Sequence, residues 1–303
     1  MPDPINVYRG TPGALPAEIA REILEKTRNA SAIMKLARQI QLPGRGVQIP
    51  VITADPAAAW VDETGSKTVA TPTMNQKLMQ AYKLAVIVPF SDEFRRDRAA
   101  LYDACIARLP GALALKFDQT VTGGSAPGEN FDTFAACTAQ ALVPGVGETI
   151  YGNIVKAYAD IAAANGSLNG FAMSPAGMGL ILGAVGTDNR PIFTENATEG
   201  TPGRILGQTV TEGRGIYKAG TAAAGTAAGV PAVVGIAGDW TQAMWGTVEG
   251  VKISFSDQAT LTIGTEQVNL WQHNMFAVRA EIEVGFRADT ACFNRLTGAT
   301  PAS

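Results

Sequence analysis

The chain has 303 residues, a formal net charge of −3, 33 glycines, 17 prolines and only 17% charged side chains. That length buries a sizeable core in one large or two smaller domains. With no Lys/Arg run and no acidic tail, the charge offers no footprint for gripping nucleic acid or an anionic membrane.

The glycine and proline content with so little charge predicts a loop-rich, β-containing protein that hides part of its surface against a partner. Cys105, Cys137 and Cys292 are widely spaced, with no Cys-x-x-Cys pair to hold zinc or run redox chemistry, and read as reduced packing residues. The N-terminus has no basic segment followed by an apolar one, so a cytosolic site of synthesis is expected. The uncharged stretch 219–238 is long enough for a membrane span, but its Gly, Thr and Pro content reads as a loop entering a buried strand.

Residues 1–16 are rich in Pro and Gly and read as an extended arm. Residues 17–28 follow as a short amphipathic helix with Ile19, Ile23 and Leu24 on one side, and 31–40 extend it or add a further turn until Leu42-Pro43-Gly44 stops it. Val47, Ile49 and Val51 alternate with polar or proline positions, and 79–90 is rich in β-formers, so both are strands. The piece between them is polar and lacks a core of its own. With its flanking strands it makes a long hairpin, of the kind that is functional or ordered by a partner. Trp60 stands in it with little around it to pack on, and is either a local packing residue or an anchor on another molecule.

Residues 91–122 predict a long helix, on the order of 45 Å if unbroken. Ser91 caps it, Asp92 and Glu93 complement the dipole, and Gly123-Gly124 ends it. Phe94, Leu101, Cys105, Leu109, Leu113, Phe117 and Val121 form an apolar stripe widened by Tyr102 and Ile106, and Arg95, Arg96, Asp97, Arg98 and Asp103 lie on the other side. Pro110-Gly111 is the weak point: the helix either bends there or is two helices, and the stripe keeps its phase across the pair.

Beyond a Gly/Pro-studded connector over 123–147, residues 151–164 are a helix with Asn165-Gly166 as its cap. Phe171-Ala172-Met173 is a strand, and Ser174-Pro175 opens another helix. Residues 187–226 are loop-rich, 230–237, 243–248 and 251–256 are strands, and 271–287 ends the chain with one strand or a pair. Gly177-Met178-Gly179 with Gly183 has the wrong spacing for a dinucleotide loop and reads as close helix packing. His273 is the only histidine and reads as structural or surface, and Glu281 and Glu283 share one side of a strand that is solvated or faces a partner. No cofactor, metal or catalytic residue is expected.

In order and spacing, several segments carry a family likeness: the arm from Ser31-Ala32-Ile33 into Pro50-Val51, Ala59-Trp60-Val61-Asp62-Glu63 in the hairpin, and Lys83-Leu84-Ala85 leading to Phe90-Ser91-Asp92-Glu93. Asp118 to Gly123, Gly238-Asp239-Trp240, and the run from Asn274 through Glu281 to Phe293 continue it. The chain resembles the major capsid proteins of tailed bacteriophages. The resemblance implies an α+β, Hong Kong 97-like fold: an N-terminal arm (1–45), an extended hairpin or E-loop with its flanking strands (46–90), a spine helix opening the peripheral domain (91–135), an axial α/β domain (136–269) and the C-terminal strands of the peripheral domain (270–303). It implies a non-enzymatic subunit that self-assembles through hexameric and pentameric capsomers into an icosahedral shell for double-stranded DNA, without sequence-specific binding. Expected partners are a portal protein, a separate scaffolding protein, since only about thirty residues precede the core, and a decoration protein. Expected locations are the virion and, during assembly, the host cytoplasm. Inter-subunit contact candidates are Trp60, Asp62, Glu63, Lys67, Arg95, Arg96, Glu281 and Glu283, with Pro110 and Gly111 as the bend. Lys67 and Asn294 are candidates for a covalent cross-link. The alternatives are an encapsulin-like compartment that packages enzymes and a cytosolic α/β enzyme with its site between Phe171 and Gly183.

Overall fold

The computed structural model describes residues 27, 30–44, 46–54, 58, 60, 61, 63, 66, 67, 69, 73–97, 99–143, 145, 148–185, 203–223, 228–263 and 266–301. The expected arm over 1–16, nearly all of the helix expected over 17–28, and Asp62 lie outside these residues.

Ser31 caps a short helix, α1 (Ala32–Leu36), its hydroxyl accepting from the Met34 amide at 3.0 Å. The helix is shorter than expected, because β1 (Arg38–Gln41) leaves it to pair in parallel with β10 (Ala243–Ser256). β2 (Val47–Ala54) and β3 (Thr73–Met79) pair antiparallel as a hairpin, whose second strand lies almost wholly before the one expected over 79–90. The strand expected over 79–90 is divided. Met79 closes the hairpin, whereas β4 (Tyr82–Ser91) joins a different sheet, beside β13 (Met275–Ala288).

The Ser91 hydroxyl accepts from the Phe94 amide at 3.2 Å and starts α2 (Asp92–Asp97). α3 (Ala99–Gly123) follows as one helix of 25 residues with Pro110 inside it, so the Pro-Gly pair does not divide it. At the standard rise it spans about 37 Å. The expected stripe is the buried face, with Leu109, Leu113, Phe117 and Val121 all at most 6% exposed. They pack on a four-stranded sheet of order β1-β10-β13-β4. Phe117 meets Phe131 and Phe286 edge-on, at 6.3 and 6.1 Å between ring centroids.

A second, six-stranded sheet has the order β5-β14-β9-β6-β8-β7. Its members are β5 (Thr138–Ala141), β6 (Gly170–Met173), β7 (Arg204–Ile205), β8 (Gln208–Glu212), β9 (Val233–Gly238) and β14 (Phe293–Thr297). Alternation sends Phe171 and Met173 toward α4 (Ile150–Ala163) and α5 (Pro175–Leu182), while Ala172 joins the core beneath α3. β6 is therefore covered on both faces, which is why Gly-Phe-Ala-Met reads as a continuous buried run. Thr149 and Ser174 cap α4 and α5, and Asn165 takes the left-handed conformation (φ 59°) that ends α4, as its sequence predicts.

Of the boundaries drawn from the sequence at 135/136 and 269/270, the sheets cut across the second. β10, on the axial side of the second boundary, pairs along most of its length with β13, and β14, on its peripheral side, pairs with β5 and β9. Two of the chain's crossings between the sheets, from β9 to β10 and from β13 to β14, run through short 3-10 turns. These crossings are bonded to each other: the Asp239 amide donates to the Cys292 carbonyl at 3.1 Å, and the Asp289 amide to the Gln242 carbonyl at 3.2 Å. Asp239 also accepts from Thr241, Ser167 and Asn169. Burial alone would raise its pKa, and these bonds outweigh burial and lower it. The two strands expected over 243–248 and 251–256 are one, with its pairing irregular between Thr247 and Val251. A small hairpin of β11 (Thr260–Ile263) and β12 (Glu266–Asn269) precedes β13.

Candidate assembly surfaces

The β2–β3 hairpin is a two-stranded sheet separate from the other three. Trp60 is fully exposed and Val69 is 91% exposed, with Val61 beside Trp60 also exposed. A tryptophan packed within the subunit would be covered, and Trp60 is not. Glu63 and Lys67 are exposed on the same segment.

Arg95 and Arg96 lie on the exposed side of α2. Arg95 pairs with Asp92 at 3.4 Å and lies 4.8 Å over the Phe276 ring, and Arg96 pairs with Asp97 at 2.9 Å. Glu281 and Glu283 share the outer face of β13, between buried Ala280, Ile282 and Val284. Glu281 pairs with Arg279 at 3.4 Å and Glu283 with Lys83 at 3.2 Å. Exposed pairs of this kind contribute about 0–1 kcal/mol, so these charges remain free to re-pair with another molecule. Pro110 is buried and Gly111 half-buried on α3.

Asn294 does not suit the cross-link suggested for it. It is 2% exposed, and its side-chain amide donates to the Ala157 carbonyl at 3.1 Å and to Asp160 at 3.3 Å, facing α4 and not the surface. His273 lies exposed in a 3-10 turn, and not in a strand.

The turn at 171–183 has the geometry of packing. The Ser174 hydroxyl accepts from the Gly177 amide and donates to the Val234 carbonyl, and a Cβ on Gly177 would stand 2.4 Å from that same carbonyl oxygen. Glycine there lets helix and strand approach. Cys137 and Cys292 are buried free thiols, and burial pushes Cys137 up to about 12, so it does not ionise at neutral pH. Among the described residues no group of His, Cys, Asp or Glu is placed to hold a metal ion, and no helix is long and apolar enough to cross a membrane.

Two residues that sequence reading passes over organise their surroundings. Asp118 is buried in the face of α3, where it binds the start of α1. Its place between Phe117 and Val121 on the apolar stripe is the signal that marks it. Arg287 sits at the end of β13 with its side chain 11% exposed and paired with Asp132 at 2.8 Å. Nothing in the local sequence marks it, since its partners are distant in the chain.

The family model for the phage capsid family matches residues 13–289. This chain belongs to the phage capsid family. The probable major capsid protein gp17 of Mycobacterium phage L5 is 31% identical over 302 residues, covering 94% of this chain and 89% of that protein. The protein of the same description from Mycobacterium phage D29 is 26% identical over 92% of this chain and 88% of its own length. Among solved structures, a chain of Mycobacterium phage Adephagia superposes with a TM-score of 0.73 at 19% identity, covering 90% of this chain and 92% of that one. The capsid of an empty GTA particle computed with C5 symmetry gives a TM-score of 0.64 at 15% identity, over 95% of this chain and all of that one. The capsid protein thus has the α+β, Hong Kong 97-like fold, and its role is that of a tailed-phage major capsid protein, a structural component of the virion shell and not an enzyme. Family membership sets aside the reading of 171–183 as an enzyme site.

Proposed function

We propose that the capsid protein first forms hexameric and pentameric capsomers, which close into an icosahedral shell around double-stranded DNA, and that the β2–β3 hairpin is the element that joins neighbouring subunits. The observation that carries this reading is Trp60, fully exposed on a hairpin whose strands form a two-stranded sheet separate from the others. Burying one indole recovers on the order of 2–3 kcal/mol, and repetition around a closed ring multiplies a weak contact. Val61, Glu63, Lys67 and Val69 supply the surrounding apolar and charged contacts, and Asp62 belongs to the same segment. Arg95, Arg96, Glu281 and Glu283 supply charge on the outer faces of α2 and β13.

In this reading the four-stranded sheet with α2 and α3 is the peripheral domain, and the six-stranded sheet with α4 and α5 is the axial domain, which meets its copies at capsomer centres. Portal, scaffolding and decoration proteins are the partners that the family reading brings with it, and assembly takes place in the host cytoplasm. With a net charge of −3 the inner wall encloses DNA without gripping it.

Cryo-electron microscopy of particles assembled from the purified protein tests the reading. Five- and six-subunit rings, with each hairpin lying over an adjacent subunit and Trp60 covered, are the expected result. Rings in which the hairpin touches only its own subunit would contradict it.

A further inference from the structure

We propose that Arg287 is a positioning residue that fixes the direction in which the β2–β3 hairpin leaves the body of the subunit. The hairpin is joined to the four-stranded sheet at both ends, from β1 through residues 42–46 and to β4 through Gln80 and Ala81, and neither connection belongs to a strand. Such connections between strands of different sheets would let the hairpin swing. The guanidinium of Arg287 closes the second joint.

Its Nε and Nη2 both donate to the Leu78 carbonyl, at 2.8 and 2.6 Å. Nη1 donates to Asp132 at 2.8 Å and Nη2 also reaches Asn130 at 2.9 Å. One planar group therefore ties the root of β3 to the 130–132 loop, and it does so from the end of β13, the longest-paired strand of the body. The loop is held in turn. Asp132 accepts from the Ala288 amide at 3.2 Å, and the Asn130 amide donates to the Tyr82 hydroxyl at 3.2 Å, just past the joint. The backbone is pressed close as well, since a Cβ on Gly285 would lie 2.6 Å from the Gln80 carbonyl oxygen. The side chain is only 11% exposed, so these charge-assisted bonds are little weakened by solvent.

Lysine keeps the charge beside Asp132 but has no fork to reach Leu78, Asn130 and Asp132 together. Arg287→Lys and Arg287→Ala are therefore compared with the parent by amide hydrogen exchange of the unassembled subunit, with thermal unfolding as the control on the fold. Exchange over 76–82 is expected to rise at least tenfold in Arg287→Ala and severalfold in Arg287→Lys, while amides of the β10–β13 ladder keep parental protection. Unchanged exchange over 76–82 in both variants overturns the proposal. So does a rise shared by the whole ladder, or failure of both variants to fold, because either makes Arg287 a general stability residue. A slower assembly rate is the further consequence. It rests on the hairpin reading above, whereas the exchange result does not, so the two fail separately.

Discussion

Ser31, the N-cap of α1, donates its hydroxyl to the carboxylate of Asp118 on the spine helix, and the next amide, of Ala32, donates to the other carboxylate oxygen at 3.0 Å. The same hydroxyl accepts from Met34, so one side chain caps α1 and binds it to α3. Glu212 and Arg214 line the pocket around Asp118, and Lys35 lies near enough to favour its charge.

Burial pushes Asp118 up to about 6, against the bonds from Ser31, Ala32 and Ile33. The folded state therefore holds a proton between about pH 4 and pH 6 that the unfolded chain has lost. On this account Asp118 makes stability fall as pH rises through that window and leaves it level above. Two pK units correspond to roughly 3 kcal/mol, an upper bound on the effect. Thermal unfolding of the unassembled subunit from pH 4 to pH 7 checks this: Asp118→Asn should flatten the slope between pH 4 and 6, and a parental slope in the variant would remove Asp118 as its cause.

Pro110→Ala restores an amide inside α3, where proline is about 3 kcal/mol less favourable than alanine. Pro110 is also buried, so the smaller side chain leaves a void and the net gain is smaller. The variant subunit should fold and unfold at an equal or higher temperature. If the proline sets the curvature of the spine helix, particle diameter should change as well, and light scattering measures both particle size and yield. Parental diameter and yield would leave Pro110 without a part in curvature.

Empty shells should bind duplex DNA weakly and with a shallow salt dependence, since affinity for the phosphate backbone requires several Lys or Arg side chains to displace counterions together. Filter binding between 50 and 200 mM salt, a range over which a protein with several phosphate contacts loses affinity steeply, is the measurement. A steep fall would expose a basic inner surface.

Much of the fold is legible in the sequence because it is written in local chemistry. Ser91, Thr149 and Ser174 cap helices whatever lies around them, and Asn165 ends one. The apolar stripe of α3 is one continuous signal. Strands that owe their place to distant partners are harder to read: Thr-Ala-Gln-Ala at 138–141 carries no large apolar side chain and becomes β5 only because β14 lies beside it. For the same reason the exchange of β10 and β14 between sheets is invisible along the chain. Among the candidate surfaces, the exposure of Trp60 was legible because a large apolar residue stood where little around it could pack. Asp118 was marked only as a carboxylate standing on an apolar stripe and Arg287 not at all, since each acts on partners more than eighty positions away.

The hairpin is the centre of the account, and shortening it is the most direct test. The register pairs Ala54 with Thr73, so replacing residues 55–72 with Asn-Gly joins β2 to β3 through a two-residue turn and leaves both strands intact. Trp60→Ala is the milder form and should slow assembly without changing the fold. Electron microscopy of the shortened and parental proteins under the same assembly conditions should show closed shells only for the parent, with the shortened subunit folded and its thermal unfolding near the parental value. Closed shells from the shortened chain in parental yield would contradict the claim that the hairpin joins the subunits.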